Sequence, residues 1–320
     1  MRKPLHPAVS PSPGGTVMSK ITNVLVAIDF SEGSRAALDC AAGLARGFGA
    51  LLTALHVTPP YVTYDPLPAF VSPAPLDPER QRRTQENLRR FVTPPGSEHP
   101  RAEVVVRDGD PADEILAYAA SSGVDLIVLG THGWRGFERW ILGSVTERVA
   151  RKADRSVLAV PAIARAAAFA RVLCGLDLSE SSAETLEEAA AIAQTLSAEL
   201  VVLYVADGSH WYEPWPISGV DVEAERQLVA KSARERLGEL VARHVPKSVR
   251  VELQVAFGRA QREIEQVAGA GADLVVLGAS SSRGIDRFFF GSTAQHVLRA
   301  SVSPVLLLRH AMAGADATDA

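Results

Sequence analysis

Short apolar runs recur along this chain, each fenced by residues that break regular structure. Asn23 to Ile28 ends at Asp29-Phe30-Ser31, Leu51 to Val57 runs into a proline-rich stretch, and Leu126 to Leu129 stands between Asp125 and Gly130. Such short apolar runs predict strands buried on both faces. Glu103–Arg107 and Ser156–Val160 add two more. Between them lie segments of helical composition. One follows Ser31 or Ser34, either of which could cap it, and runs to about Ala50. Another covers Glu79–Phe91 and is basic on its outer faces; a third covers Pro111–Ser121; a fourth includes Val145–Ala150. Strands that alternate with helices imply βαβ crossovers and a parallel sheet, so the fold class is α/β.

The whole pattern then occurs a second time. Asp125–Ser144 reads DLIVLGTHGWRGFERWILGS, and Asp273–Ser292 reads DLVVLGASSSRGIDRFFFGS. The offset is 148 residues, as from Gly130 to Gly278 or Gly143 to Gly291. Asp29 maps onto Asp177, Ser31 onto Ser179 and Val57 onto Val205. One glycine breaks the match: Ser281 stands where Gly133 stands. An offset this long exceeds any solenoid period and indicates a duplicated domain. The expected division is a tail over 1–20, a first domain over 21–162, a linker over 163–170, a second domain over 171–310 and a tail over 311–320. Met18 is a second possible start. In the second repeat, Ser181 with Glu184 has the spacing of a capping box. A long helix is expected over Asp221–His244, with strands over Val249–Ala256 and Pro304–Leu308. The loops 58–78 and 206–221 are long and irregular, and local packing is the expectation for Trp211, Tyr212 and Trp215.

Composition narrows the function classes. The chain has 320 residues, 47% hydrophobic and 22% charged, which suits a globular protein of two domains. A net charge of −4 gives no support to a nucleic-acid groove. Two cysteines, Cys40 and Cys174, exclude a disulfide scaffold and suit a reducing, cytoplasmic setting. No apolar run reaches the roughly 18 residues of a membrane-spanning helix, and the N-terminus does not read as a signal peptide. The eight histidines are dispersed without metal-ligand spacing, so no protein-only metal site is expected.

Candidate chemistry gathers at the ends of the strands. In each repeat the first strand ends at an Asp and the fourth at a Gly. If the strand order is 3-2-1-4-5, strands one and four flank the point where the order reverses, and ligands bind there. Asp29 and Gly130 would then face one crevice, with Val57 on its rim. Gly130, Gly133 and Gly143 line the loop into the next helix, whose first N–H groups suit an anion. Taken singly, each residue has an ordinary role: Asp29 in a turn, Gly130 as a strand terminator, Ser144 as a helix cap. Only the combination is informative.

The spacing G-x2-G-x9-G-S at Gly130, Gly133, Gly143 and Ser144, with Asp29 after the first strand, resembles the ATP-binding branch of the universal stress protein family. The resemblance covers both repeats. It implies two flavodoxin-like domains of the adenine nucleotide hydrolase type, each with a five-stranded parallel sheet and helices on both faces. It implies adenine near Asp29 and Val57, and ribose and phosphates at Gly130, Gly133, Gly143, Ser144 and Val145. The matching positions are Asp177, Val205, Gly278, Gly291, Ser292 and Thr293. Magnesium could accompany a bound triphosphate. Arg135 and Arg139 could neutralise phosphate or simply be solvated; His132, matched by Ser280, is a weak candidate for chemistry.

Three functions follow as expectations. The first is a stress-response protein in which ATP sets conformation or partner choice. The second is a slow ATPase, for which only Asp29 and His132 offer a base and neither belongs to a recognisable catalytic set. The third is an interaction module whose second repeat has weakened nucleotide binding through Ser281. The two domains are expected as stacked units whose apolar last strands need cover; the resemblance implies that family domains pair through this strand, and the short linker directs that pairing within one chain. A homodimer could form beyond that.

Overall fold

A computed structural model of the protein describes residues 21–59, 78–93, 101–131, 142–164, 169–206, 222–278 and 291–309. The first half runs β1 (Asn23–Ala27), α1 (Glu32–Phe48), β2 (Leu51–Thr58), α2 (Pro78–Val92), β3 (Ala102–Asp108), α3 (Pro111–Ser121), β4 (Leu126–Gly130), α4 (Ser144–Lys152) and β5 (Ser156–Val160). The second half repeats it: β6 (Arg171–Leu176), α5 (Ser182–Leu196), β7 (Glu199–Ala206), α6 (Val222–His244), β8 (Val251–Phe257), α7 (Ala260–Gly269), β9 (Leu274–Gly278), α8 (Ser292–Ala300) and β10 (Val305–Leu308).

All ten strands form one sheet, in the order β3-β2-β1-β4-β5-β10-β9-β6-β7-β8. Each half is parallel and has the order 3-2-1-4-5. The single antiparallel pairing among these joins β5 to β10. The halves therefore lie edge to edge in a continuous sheet and are not stacked. Stacking would leave two apolar edge strands open, whereas pairing saturates their N–H and C=O groups. Every residue of β5 and β10 is buried.

Alternation along each strand divides the core into two layers. Val24, Val26, Leu126 and Val128 face α1, while Leu25, Ile127 and Leu129 face the side of α3 and α4. Helices α1, α2, α5 and α6 cover one face; α3, α4, α7 and α8 cover the other. Both layers cross the boundary between the halves. On one face α1 meets α5, and a Cβ at Gly47 would lie 2.5 Å from Leu196 Cδ2. On the other, Glu147 of α4 pairs with Arg299 of α8 at 3.3 Å. Arg309, just beyond β10, donates from Nη2 to the carbonyl oxygen of Ala150 in α4 at 3.0 Å.

Backbone geometry decides the helix starts that composition left open, and corrects others. Ser31, not Ser34, caps α1, accepting from Ser34 N at 3.1 Å. Ser144 and Ser292 are the first helical residues, and the caps are Gly143 and Gly291. Ser181 adopts helical φ and ψ and its side chain makes no cap hydrogen bond, so the Ser181–Glu184 capping box does not form. A cap side chain reaches its own helix from extended backbone, which Ser31 has and Ser181 lacks. Strand β8 starts at Val251, because Val249 is held in a turn by donation to Pro246 O. Trp211, Tyr212 and Trp215 lie outside the described residues.

Candidate functional site

The strand-order reversal places β1 beside β4, with Val24 opposite Leu126 and Val26 opposite Val128. Asp29, two residues past β1, therefore sits at the same sheet end as Gly130. Its Oδ1 accepts from Ser31 N at 3.0 Å. This short loop turns the chain from strand into helix and places Phe30 in left-handed backbone, φ 67°. The second half repeats the device: Asp177 Oδ1 accepts from Ser179 N at 2.9 Å, and Leu178 has φ 59°. Two non-glycine residues in that region at matching positions mark a turn that tertiary packing enforces. Phe30 is held by His56, at 4.7 Å between ring centroids, and by Phe91 at 5.5 Å. Nothing in the sequence announced this strain at Phe30 and Leu178.

The two aspartates thus do have the ordinary turn role. Burial would raise the Asp177 carboxyl, but hydrogen bonds from Ser179 and Ser182 outweigh it, and its pKa stays below the usual carboxylate range.

Gly130 and Gly143 have packing reasons of their own. A Cβ at Gly130 would lie 2.6 Å from the carbonyl carbon of Gly33, so glycine lets the first turn of α1 close onto the end of β4. At Gly143 a Cβ would lie 3.2 Å from Thr131 O, and Gly143 N donates to that oxygen at 2.7 Å. Thr146 Oγ1 donates to Gly130 O at 2.7 Å. Helix α4 begins at this knot without a side-chain cap, and so does α8 at Gly291. Uncapped starts leave N–H groups and partial positive charge facing outward.

In the second half, the sequence-derived positions converge on a crevice of about 230 Å³. Asp177, Val205, Gly278, Gly291, Ser292 and Thr293 all line it. Ser181 at the cap of α5, Ser182 and Thr185 within it, and Ile264 of α7 also line the crevice, and no sequence motif marks them. Ser181 replaces Gly33 and Thr185 replaces Ala37 in the 148-residue alignment, so this wall carries hydroxyls where the first half has none. In the first half, Asp29, Val57, Gly130, Gly143, Ser144 and Val145 occupy the corresponding ends of β1, β2, β4 and α4. Val57 is 7% exposed and packs in the layer shared with α3. Gly133, Arg135, Arg139, His132 and Ser280 to Ser282 lie outside the described residues.

Two blocks of the chain, residues 20–161 and 168–309, match the model of the universal stress protein family. The chain belongs to that family. It is similar over one repeat to universal stress protein YxiE of Bacillus subtilis, 36% identical over 143 residues, covering 43% of this chain and 97% of that protein. It is similar over almost its full length to a universal stress protein of Mycolicibacterium smegmatis, 27% identical over 297 residues, 89% of this chain and 96% of that one. Among solved structures, a universal stress protein from Archaeoglobus fulgidus superposes with a TM-score of 0.62 at 20% identity, covering 93% of this chain and 99% of that one. At that identity the likeness shows the fold. This universal stress protein thus carries two copies of its family's domain in one chain. Among the described residues no helix is long and apolar enough to cross a membrane.

Proposed function

We propose that this universal stress protein binds ATP in the crevice of each domain and that bound nucleotide sets its conformation or choice of partner in a stress response. The observation that carries this reading is the crevice lined by Asp177, Val205, Gly278, Gly291, Ser292 and Thr293. Its chemistry suits the parts of ATP. An uncapped helix start with Ser292 and Thr293 offers N–H and O–H donors to phosphate oxygens. Val205 offers apolar surface to a base, and a carboxylate such as Asp177 can accept from an adenine amino group. By the repeat, Asp29, Val57, Gly130, Gly133, Gly143, Ser144 and Val145 form the first site. Magnesium enters only with the triphosphate.

The domains are 21–162 and 171–310, joined by 163–170. The protein works in the cytosol, to which its buried free cysteines Cys40 and Cys174 are suited. Titration calorimetry with ATP tests the proposal. The parent chain should bind, and Gly143→Asp and Gly291→Asp, which put a negative charge at each helix start, should each remove one site. An ATP signal that survives both substitutions together would place the nucleotide elsewhere.

A further inference from the structure

We propose that Thr146 fixes the start of α4 against the end of β4 at the first domain's phosphate subsite, and that the second domain, lacking this contact, holds phosphate more weakly. The inference rests on the ATP reading above. Thr146 is 3% exposed, and its Oγ1 donates to Gly130 O at 2.7 Å. A threonine early in a helix usually bonds within its own helix, as Thr185 does in donating to Ser181 O at 3.0 Å. Thr146 instead reaches back sixteen residues, from the third position of α4 to the last carbonyl of β4. One part-buried hydrogen bond therefore ties the two ends of the connection that the glycine motif occupies.

A second bond closes the same neck, from Gly143 N to Thr131 O, but it is backbone to backbone and needs no particular side chain. The Thr146 bond does need one. With Thr146 itself buried, such a bond fixes the geometry at its end of the neck. It sets the separation between the end of β4 and the first N–H groups of α4, which is the span a phosphate chain must bridge. In the second domain the matching residue is Ala294, 5% exposed and lining the crevice. It has no hydroxyl to offer Gly278 O. Ala279 also replaces Thr131. The second neck thus has no hydroxyl at the position of Thr146, independently of the Ser281 substitution.

The experiment is calorimetric titration of the intact chain with ATP and, separately, with adenosine. Thr146→Val keeps the volume and removes the hydroxyl; Thr146→Ser keeps the hydroxyl. The Val variant should weaken ATP at the tighter site by about tenfold and leave adenosine unchanged, because adenosine has no phosphate to place. The Ser variant should restore parent affinity. ATP affinity unchanged in Thr146→Val would overturn the proposal. So would equal losses of ATP and adenosine, which mean a general structural role. A parent chain that binds adenosine but not ATP, or neither, would overturn the ATP reading and this one with it.

Discussion

Leu158 of β5 lies directly opposite Leu306 of β10, the residue 148 positions later. Two equivalent residues can face each other only on a local two-fold axis. The flanking pairs, Ala159 with Val305 and Val157 with Leu307, exchange under the same operation. The duplicated domain therefore uses one surface twice, as a symmetric dimer would, with both partners in one chain.

Both leucines are buried, with Leu158 at 0% exposure. Leu158→Ala should cost about 2–5 kcal/mol in urea unfolding, the range for a leucine truncated in a packed core. A loss under about 1 kcal/mol would mean that the joint contributes little to stability.

Gly130→Ala separates packing from binding. The added methyl would meet Gly33 backbone at 2.6 Å, and a backbone cannot swing aside as a side chain can. Overpacking of this kind costs about 1–3 kcal/mol. The loss should appear in thermal unfolding with no nucleotide present. Gly143→Ala meets Thr131 O at the looser 3.2 Å and should cost less. An opposite ranking would contradict the close approach of α1 to β4.

How much of this was legible in advance depended on range. The strands were legible because a short apolar run between Asp and Gly has few other uses. Even the β5–β10 joint could be expected, since both strands are apolar edges, the family resemblance implies pairing through them, and the linker is short. What sequence could not supply was the geometry of individual turns. Ser144 and Ser181 have the composition of caps, yet Ser144 is already the first helical residue, and Ser181, at the cap position, has helical φ and ψ and makes no side-chain cap bond. Left-handed Phe30 and Leu178 violate local preference and persist because packing around Asp29 and Asp177 fixes the turn. Thr146 went unnoticed because its partner is sixteen residues away and across a loop.

Repeat asymmetry gives a test of binding strength. Ser281 stands where the first repeat has Gly133, and a Cβ at a close backbone approach can cost about 1 kcal/mol or more. About 1.4 kcal/mol is tenfold in affinity. Calorimetry should resolve a tighter and a weaker ATP site, with Ser281→Gly tightening the weaker and Gly133→Ser loosening the tighter. Two equal sites, indifferent to both changes, would sink the asymmetry. A tighter second site would show that the serine hydroxyls outweigh the lost glycine.

The turn at Asp177 should respond to acid. Its folded pKa lies below the unfolded value of about 4, so its contribution is present above that pH and is lost as pH falls through the folded value. Asp177→Asn should therefore reduce stability at neutral pH and have less effect once the pH has fallen below the folded value, where the carboxyl is protonated in both states. Urea midpoints measured across that range give the answer; a difference independent of pH would mean that charge at Asp177 plays no part in the turn.

Native mass spectrometry of the 34.1 kDa chain with ATP addresses the central claim most directly. Two successive adducts of one ATP each are predicted, the first appearing at lower concentration. Gly143→Asp should lose one adduct, Gly291→Asp the other, and the double variant both. An absence of adducts from the parent chain, or a double variant that still carries two, would contradict the account.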